Sequence, residues 1–243
     1  MGGFFGIVSQ EDCVNDLFFG TDYHSHLGTR RGGLAVKNAD GFARYIHDIS
    51  NSQFRSKFED DVPKMKGNMG IGIISDFEDQ PLIISSHLGT YSIVTVGVIK
   101  NMSKLLQRAF SGKHVHFSEM SGGEVNPTEL IATLINNESN FIDGIQSAQD
   151  AIEGSCSLLL LTTEGIYAAR DQYGRTPIVI GEKKGSYAAT METCAFPNLD
   201  YKVNRYLGPG EIVLITKKGV EQKKSPGKTL RICAFLWVYY GYP

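Results

Sequence analysis

The sequence predicts an α+β fold: two antiparallel sheets with helices packed on them. Three observations carry this reading. Strand-like segments arranged as hairpins fill both ends of the chain, a helical block separates them, and short turn-rich spacers mark the hairpins. Residues 4–9 are apolar and bracketed by glycine. Residues 33–37 and 42–49 flank Asn38-Ala39-Asp40-Gly41, strong hairpin chemistry. Residues 69–74 (Met-Gly-Ile-Gly-Ile-Ile) alternate with glycine, as suits close packing on a sheet. Residues 82–85 and 91–98 make a second hairpin across His87-Leu88-Gly89-Thr90.

Residues 16–25 read as helix. So do residues 101–110, with Asn101 as N-cap and Met102, Leu105 and Leu106 as the apolar stripe. Asn126-Pro127-Thr128-Glu129 is a helix start, with Asn as N-cap, Pro at N1 and Glu at N3 completing a capping box. Leu130, Ile131, Leu134 and Ile135 follow at helical spacing. A third helix covers 141–152. The chain then returns to hairpins: 157–162 with 165–169, 178–180 with 186–190, and 211–216 with 220–224.

At 243 residues with 42% hydrophobic and 21% charged residues, the chain is long enough for one large domain or two small ones. A net charge of −2 with scattered Lys and Arg argues against a nucleic-acid partner. Cys13, Cys156, Cys194 and Cys233 contain no CxxC pair and sit in apolar or mixed surroundings, which predicts buried free thiols. The N-terminus has no basic region or sustained apolar stretch, apolar runs fall short of a membrane span, and Gly6 breaks the myristoylation pattern. A cytoplasmic location without membrane contact is expected.

Most other chemical motifs read as structural. His114-Val115-His116 has metal-compatible spacing but no acidic or Cys partner near it, so no metal is expected. His24 and His26 flank a helix end, where a dipole role fits. Arg170-Asp171 reads as a turn-fixing ion pair, and residues 67–72 lack the Lys-Ser/Thr of a phosphate loop. The aromatic tail, with Trp237, Tyr239, Tyr240 and Tyr242, reads as packing for a further domain.

Gly2 is the most informative position. Loss of the initiator Met leaves it first in the chain, at the start of an apolar strand. An N-terminal nucleophile needs a thiol or hydroxyl there, with the free amine as base.

Several segments, taken in order, resemble the N-terminal glutaminase domain of glutamine phosphoribosylpyrophosphate amidotransferases. These are class II glutamine amidotransferases. The segments are Gly3-Phe4-Phe5-Gly6-Ile7, Lys66-Gly67-Asn68-Met69-Gly70-Ile71-Gly72, Arg170-Asp171-Gln172-Tyr173-Gly174-Arg175-Thr176-Pro177, Glu192-Thr193-Cys194-Ala195, Gly208-Pro209-Gly210-Glu211-Ile212 and the tail from Cys233 to Tyr240. The resemblance implies the N-terminal-nucleophile hydrolase fold, a four-layer αββα sandwich. It also implies a glutamine amidotransferase-like domain over 1–228, with 229–243 leading into a phosphoribosyltransferase domain absent from this chain. The family belongs to purine nucleotide biosynthesis.

The same resemblance places the site. The nucleophilic Cys falls on Gly2. The oxyanion segment falls on Thr95-Val96-Gly97-Val98, so Gly97 keeps a backbone N–H while Val96 replaces an Asn donor. The glutamine-holding Arg falls on Ser75, and the segment after it is shortened. The acid that would hold the glutamine amine falls on Pro127. Arg30 or Arg31 matches a further family Arg as a remnant anion site. Gly2, Val96 and Gly97 are thus vestigial catalytic positions, and Arg30, Arg31, Ser75 and Pro127 vestigial substrate positions.

The expectation is a domain without glutaminase activity that scaffolds or regulates a phosphoribosyltransferase-like half. It needs no cofactor of its own, retains a pocket for a small ligand and is compatible with homo-oligomers. Two alternatives stand beside this. One is an active amidohydrolase with another nucleophile: Thr95, Ser75 or a residue supplied by the absent domain. The other is a purely regulatory or interaction domain.

Overall fold

The computed structural model describes residues 2–111 and 116–240, except for the side chains of Phe235, Tyr239 and Tyr240. In chain order the elements begin β1 (Gly2–Ser9), α1 (Val14–Asp22), β2 (Arg31–Asn38), β3 (Gly41–Asp48), α2 (Phe54–Phe58), a 3-10 turn (Val62–Lys64), β4 (Met69–Ser75), β5 (Leu82–Ser86), β6 (Gly89–Ile99) and α3 (Met102–Ser111). A small hairpin, β7 (Met120–Ser121) and β8 (Glu124–Val125), precedes α4 (Pro127–Ile135) and α5 (Phe141–Ala151). The last part holds β9 (Gly154–Leu161), β10 (Ile166–Ala169), β11 (Val179–Lys183), β12 (Ser186–Thr190), α6 (Ala195–Asn198), β13 (Lys202–Tyr206), β14 (Ile212–Thr216), β15 (Gly219–Lys224) and α7 (Ala234–Tyr240).

Two large antiparallel sheets result. One has seven strands in the order β13-β11-β12-β1-β4-β2-β3, and the other six in the order β15-β14-β10-β9-β6-β5. The central strands are apolar at nearly every position because both of their faces are covered. Along β1, Phe4 points into the layer between the sheets with Ile71, Val94 and Leu159. Its neighbour Phe5 points outward, into a cluster with Leu17, Phe54 and Phe196 from the helical side. On the far side of the second sheet, Leu158, Leu160 and Tyr91 pack with Leu130 and Ile135 of α4 and Ile145 and Ala148 of α5. Helix, sheet, sheet, helix is the predicted αββα order. The alternating glycines of β4, Gly70 and Gly72, face Leu17 and Thr21 and let α1 lie close.

The predicted hairpins form, with ends shifted by a few residues. Two local expectations are corrected. Asn101 does not use its side chain as an N-cap: it donates to the Ala151 carbonyl and accepts from Glu153 N–H, pinning the α5–β9 junction. Asn126 does cap α4, accepting from Thr128 N–H at 2.9 Å. The capping box is not completed, because Glu129 instead accepts from the Ser118 and Glu119 N–H groups, both at 2.9 Å. The tail is helical over Ala234–Tyr240, with Trp237 and Val238 exposed. Strand β13 and the short helices α2 and α6 carry no distinct period in the sequence.

Candidate functional site

Gly2 opens β1 in the middle of the seven-stranded sheet. It sits opposite Ser75 at the end of β4, and Ser75 is in turn opposite Arg31 at the start of β2. Three predicted site positions thus form one row across the sheet end. No side chain fits at the first of them. A Cβ on Gly2 would lie 2.4 Å from the Ile74 carbonyl oxygen, a backbone atom that no rotamer change can move. A side chain at position 2 would require the start of β1 or the end of β4 to shift.

Val96 and Gly97 lie on β6 in the facing sheet, paired with Ser157 and Cys156 of β9. Val96 is buried in the core between the sheets, so its position is now part of the packing. Pro127 is the first residue of α4 and initiates that helix. A hydrogen bond of 2.7 Å between the buried hydroxyls of Thr95 and Thr128 brings this part of β6 against the first turn of α4. The contact joins the sequence neighbours of Val96 and Pro127, while Val96 itself faces the layer between the sheets.

The segment from Ser75 to Pro81 links the two groups. Ser75 Oγ donates to Glu78 Oε2 at 2.8 Å and accepts from the N–H groups of Phe77 and Glu78. The carboxylate of Glu78 is a base beside Ser75 that the sequence reading missed. The two accepted bonds leave the hydroxyl occupied as a turn former. Thr95, the other alternative nucleophile, is fixed by Thr128 and by Gln80, whose carboxamide pairs with the Thr95 main chain.

The two arginines have different surroundings. Arg31 is neutralised, with Nε 3.1 Å from Asp79 Oδ1 and a second nitrogen 3.3 Å from Asp48 Oδ2. Arg30 is exposed, and its guanidinium lies over the Phe77 ring. Its main chain ties the loop to the sheet, donating to the Ser75 carbonyl and accepting from Ile49 N–H.

Away from this row the other motifs find structural roles. His24 is fully buried. Its Nδ1 is 2.9 Å from the Gly20 carbonyl and its Nε2 is 2.9 Å from Thr190 Oγ1. Burial lowers its pKa to about 4, so it stays neutral at the end of α1, which corrects the expectation of a charged dipole partner. His26 pairs with Glu192 at 2.8 Å. Arg170 and Asp171 hold their turn by binding backbone: Arg170 donates to the Leu207 and Gly174 carbonyls, and Asp171 accepts from Tyr173 and Thr176 N–H. Desolvation pulls the Arg170 pKa down.

The four cysteines are free. Cys13 and Cys156 are buried as expected, whereas Cys194 is exposed. Its thiol is still pushed up to about 11, first by desolvation and then by Glu192, so it is a weak nucleophile. His114 and Tyr242 lie outside the described residues, and among the described residues no cluster of His, Cys, Asp and Glu could hold a metal ion. No helix among them is long and apolar enough to cross a membrane. An open cleft of about 670 Å³ lies between the end of α1 and the β3–α2 connection, with Asp22, Thr29, Ser50 and Arg55 in its wall. None of the predicted site residues lines it.

A two-sheet αββα sandwich with its site row at the start of β1 defines a glutamine amidotransferase domain of N-terminal-nucleophile hydrolase type. The family model for the glutamine amidotransferase domain matches residues 68–197, and the chain belongs to that family. Among curated relatives, the amidophosphoribosyltransferase of Synechocystis sp. is 26% identical over 258 residues, covering 99% of this chain and 51% of that protein. That of Bacillus subtilis is 24% identical, covering 99% and 52%. The chain spans about half the length of these relatives.

Among solved structures, the glutamine phosphoribosylpyrophosphate (PRPP) amidotransferase of B. subtilis complexed with ADP and GMP superposes with a TM-score of 0.87 at 23% identity. The match covers 99% of this chain and 53% of that one. A glutamine aminotransferase class-II domain protein from Silicibacter pomeroyi follows at TM-score 0.59 and 11% identity, covering 93% and 100%. The fold is shared with both.

Proposed function

We propose that this chain is a glutamine amidotransferase domain of an amidophosphoribosyltransferase-related protein that no longer hydrolyses glutamine. On this reading it serves as a scaffold or regulator for a phosphoribosyltransferase-like half, which would take up free ammonia in nucleotide synthesis. The observation that carries the reading is the contact at Gly2: the nucleophile position has no side chain, and a backbone carbonyl stands 2.4 Å from where its Cβ would be. Losing the nucleophile removes most of the rate in a catalytic unit of this kind, because the remaining groups act around it. The replacement of polar site positions by Val96 and Pro127, and the neutralised Arg31, support the same conclusion. A location in the cytoplasm accords with the chemistry of such a biosynthetic enzyme.

Ammonia release from L-glutamine tests the proposal. The purified chain is expected to give none above the uncatalysed background, and turnover at an enzymatic pace would overturn it. The Ser75–Glu78 contact favours one rival, an amidohydrolase with a serine nucleophile. That rival predicts ammonia release abolished by Ser75→Ala, whereas the inactive reading predicts no difference between the variant and the parent.

A further inference from the structure

The cleft between the end of α1 and the β3–α2 connection lies outside the row at the start of β1. Its volume of about 670 Å³ is in the range of small-molecule sites. Its floor is apolar, with Ile49 and Phe54 buried there. Its rim is polar and carries no net charge, because its cation and its anion are paired. Arg55 Nε donates to Asp22 Oδ2 at 2.6 Å. Both partners are held from a second side. Asp22 Oδ1 accepts from Ser25 Oγ at 3.3 Å, and the Arg55 guanidinium lies over the Phe19 ring, 5.4 Å from its centre. A surface ion pair contributes little as a joint between helices. One fixed at the rim of a cleft is a preorganised recognition element.

Three of the four hydroxyls in the wall are already used. Ser25 also donates to the Asp22 carbonyl, Ser50 donates to Asp48, and Thr29 donates to Asp76 at 3.4 Å. Among the described residues, the terminal nitrogens of Arg55, the Ser52 hydroxyl and the Gln53 carboxamide make no hydrogen bond. A guanidinium engaged through Nε still offers its terminal N–H groups to a carboxylate. A carboxylate that takes one bond on each oxygen still has lone pairs for an ammonium. A fixed Arg–Asp pair is thus the complement of a group that carries both charges. A bare anion would meet repulsion from Asp22, and a bare cation from Arg55. Ser52 and Gln53 complement an uncharged polar side chain.

We propose that this cleft binds a free α-amino acid with a short uncharged polar side chain. Arg55 takes its carboxylate, Asp22 its ammonium, and Ser52 and Gln53 its side chain. The site uses none of Gly2, Ser75, Val96 and Pro127, so it stands whether or not the chain hydrolyses glutamine.

The test is a titration of the full chain with L-asparagine, followed residue by residue by NMR. Saturable shifts are expected at the Ser52 and Gln53 amides and at the Arg55 Nε–H. N-acetyl-L-asparagine lacks the ammonium and L-asparaginamide lacks the carboxylate, so each should bind at least about tenfold more weakly. Arg55→Lys keeps a cation opposite Asp22 but loses the fork, and should weaken binding by about tenfold while amides away from the cleft stay in place. Absence of saturable shifts at millimolar L-asparagine would overturn the proposal. So would equal binding of the three compounds, or unchanged affinity in Arg55→Lys. Shifts confined to Thr95 and the neighbours of Gly2 would place the amino acid at the β1 row and overturn the cleft as its site. The analogue series is read on the parent chain, so it decides the matter even if the variant fails to fold.

Discussion

Gly2 and His24 are the two residues whose surroundings give the most direct tests. Gly2→Cys forces the start of β1 away from Ile74. The variant is expected to lose about 1–3 kcal/mol of stability by overpacking and to release no more ammonia than the parent, as denaturant midpoints and the glutamine assay would show. His24 gives a pH signature. Its pKa is 6.5 when exposed and about 4 in the fold, chiefly through desolvation. Between those values the unfolded chain binds a proton that the folded chain does not. The contribution is therefore full above pH 6.5, falls as the pH drops, and is gone near pH 4, an effect of about 3 kcal/mol. Thermal melts across that range should show the slope, and His24→Asn should reduce it. At this scale the sequence was most legible where it lacked something. The empty position at Gly2 and the apolar Val96 could be read directly. The Glu78, Asp79 and Gln80 contacts could not, because each depends on which residues the topology brings opposite; the β5–β6 register was the one signal that pointed to Gln80.

Helix α4 is the element on which the site region turns. Its cap, Asn126, accepts from Thr128 N–H and also donates to the Asp79 carbonyl. Asn126→Ala should thus cost about 1–2 kcal/mol for the cap, or several degrees of melting temperature for a chain of this size. It should also loosen residues 76–81, which proteolysis or hydrogen exchange would detect. Cap signals and two-residue periods made most elements readable from sequence. The capping box failed because Glu129 found backbone donors at Ser118 and Glu119, ten and eleven residues away in sequence, which no local pattern encodes. Strand β13 was missed because it is an edge strand with exposed Val203 and Tyr206, so it carries no apolar alternation.

Three apolar layers hold the whole molecule together, and the middle one joins the sheets. Leu159 is fully buried in that layer beside Phe4, Ile71 and Val94. Leu159→Ala is expected to cost about 2–5 kcal/mol, measured by urea unfolding, because both sheets lose a contact and neither can collapse onto the void. Two antiparallel sheets with helices on them were legible from the hairpins on either side of a helical block, and the αββα order was implied by the family resemblance. The identity of the faces was not, since Phe4 and Phe5 are chemically alike and only the pairing decides which looks inward. The carbonyl of Ile74 has a last consequence, for descent rather than for chemistry. On the proposed reading, a lineage carrying this sequence would need more than one substitution at position 2 to step back to a cysteine enzyme, because the start of β1 or the end of β4 has to shift before a new side chain has room. The backbone would then act as a ratchet on a loss that point mutation alone could reverse.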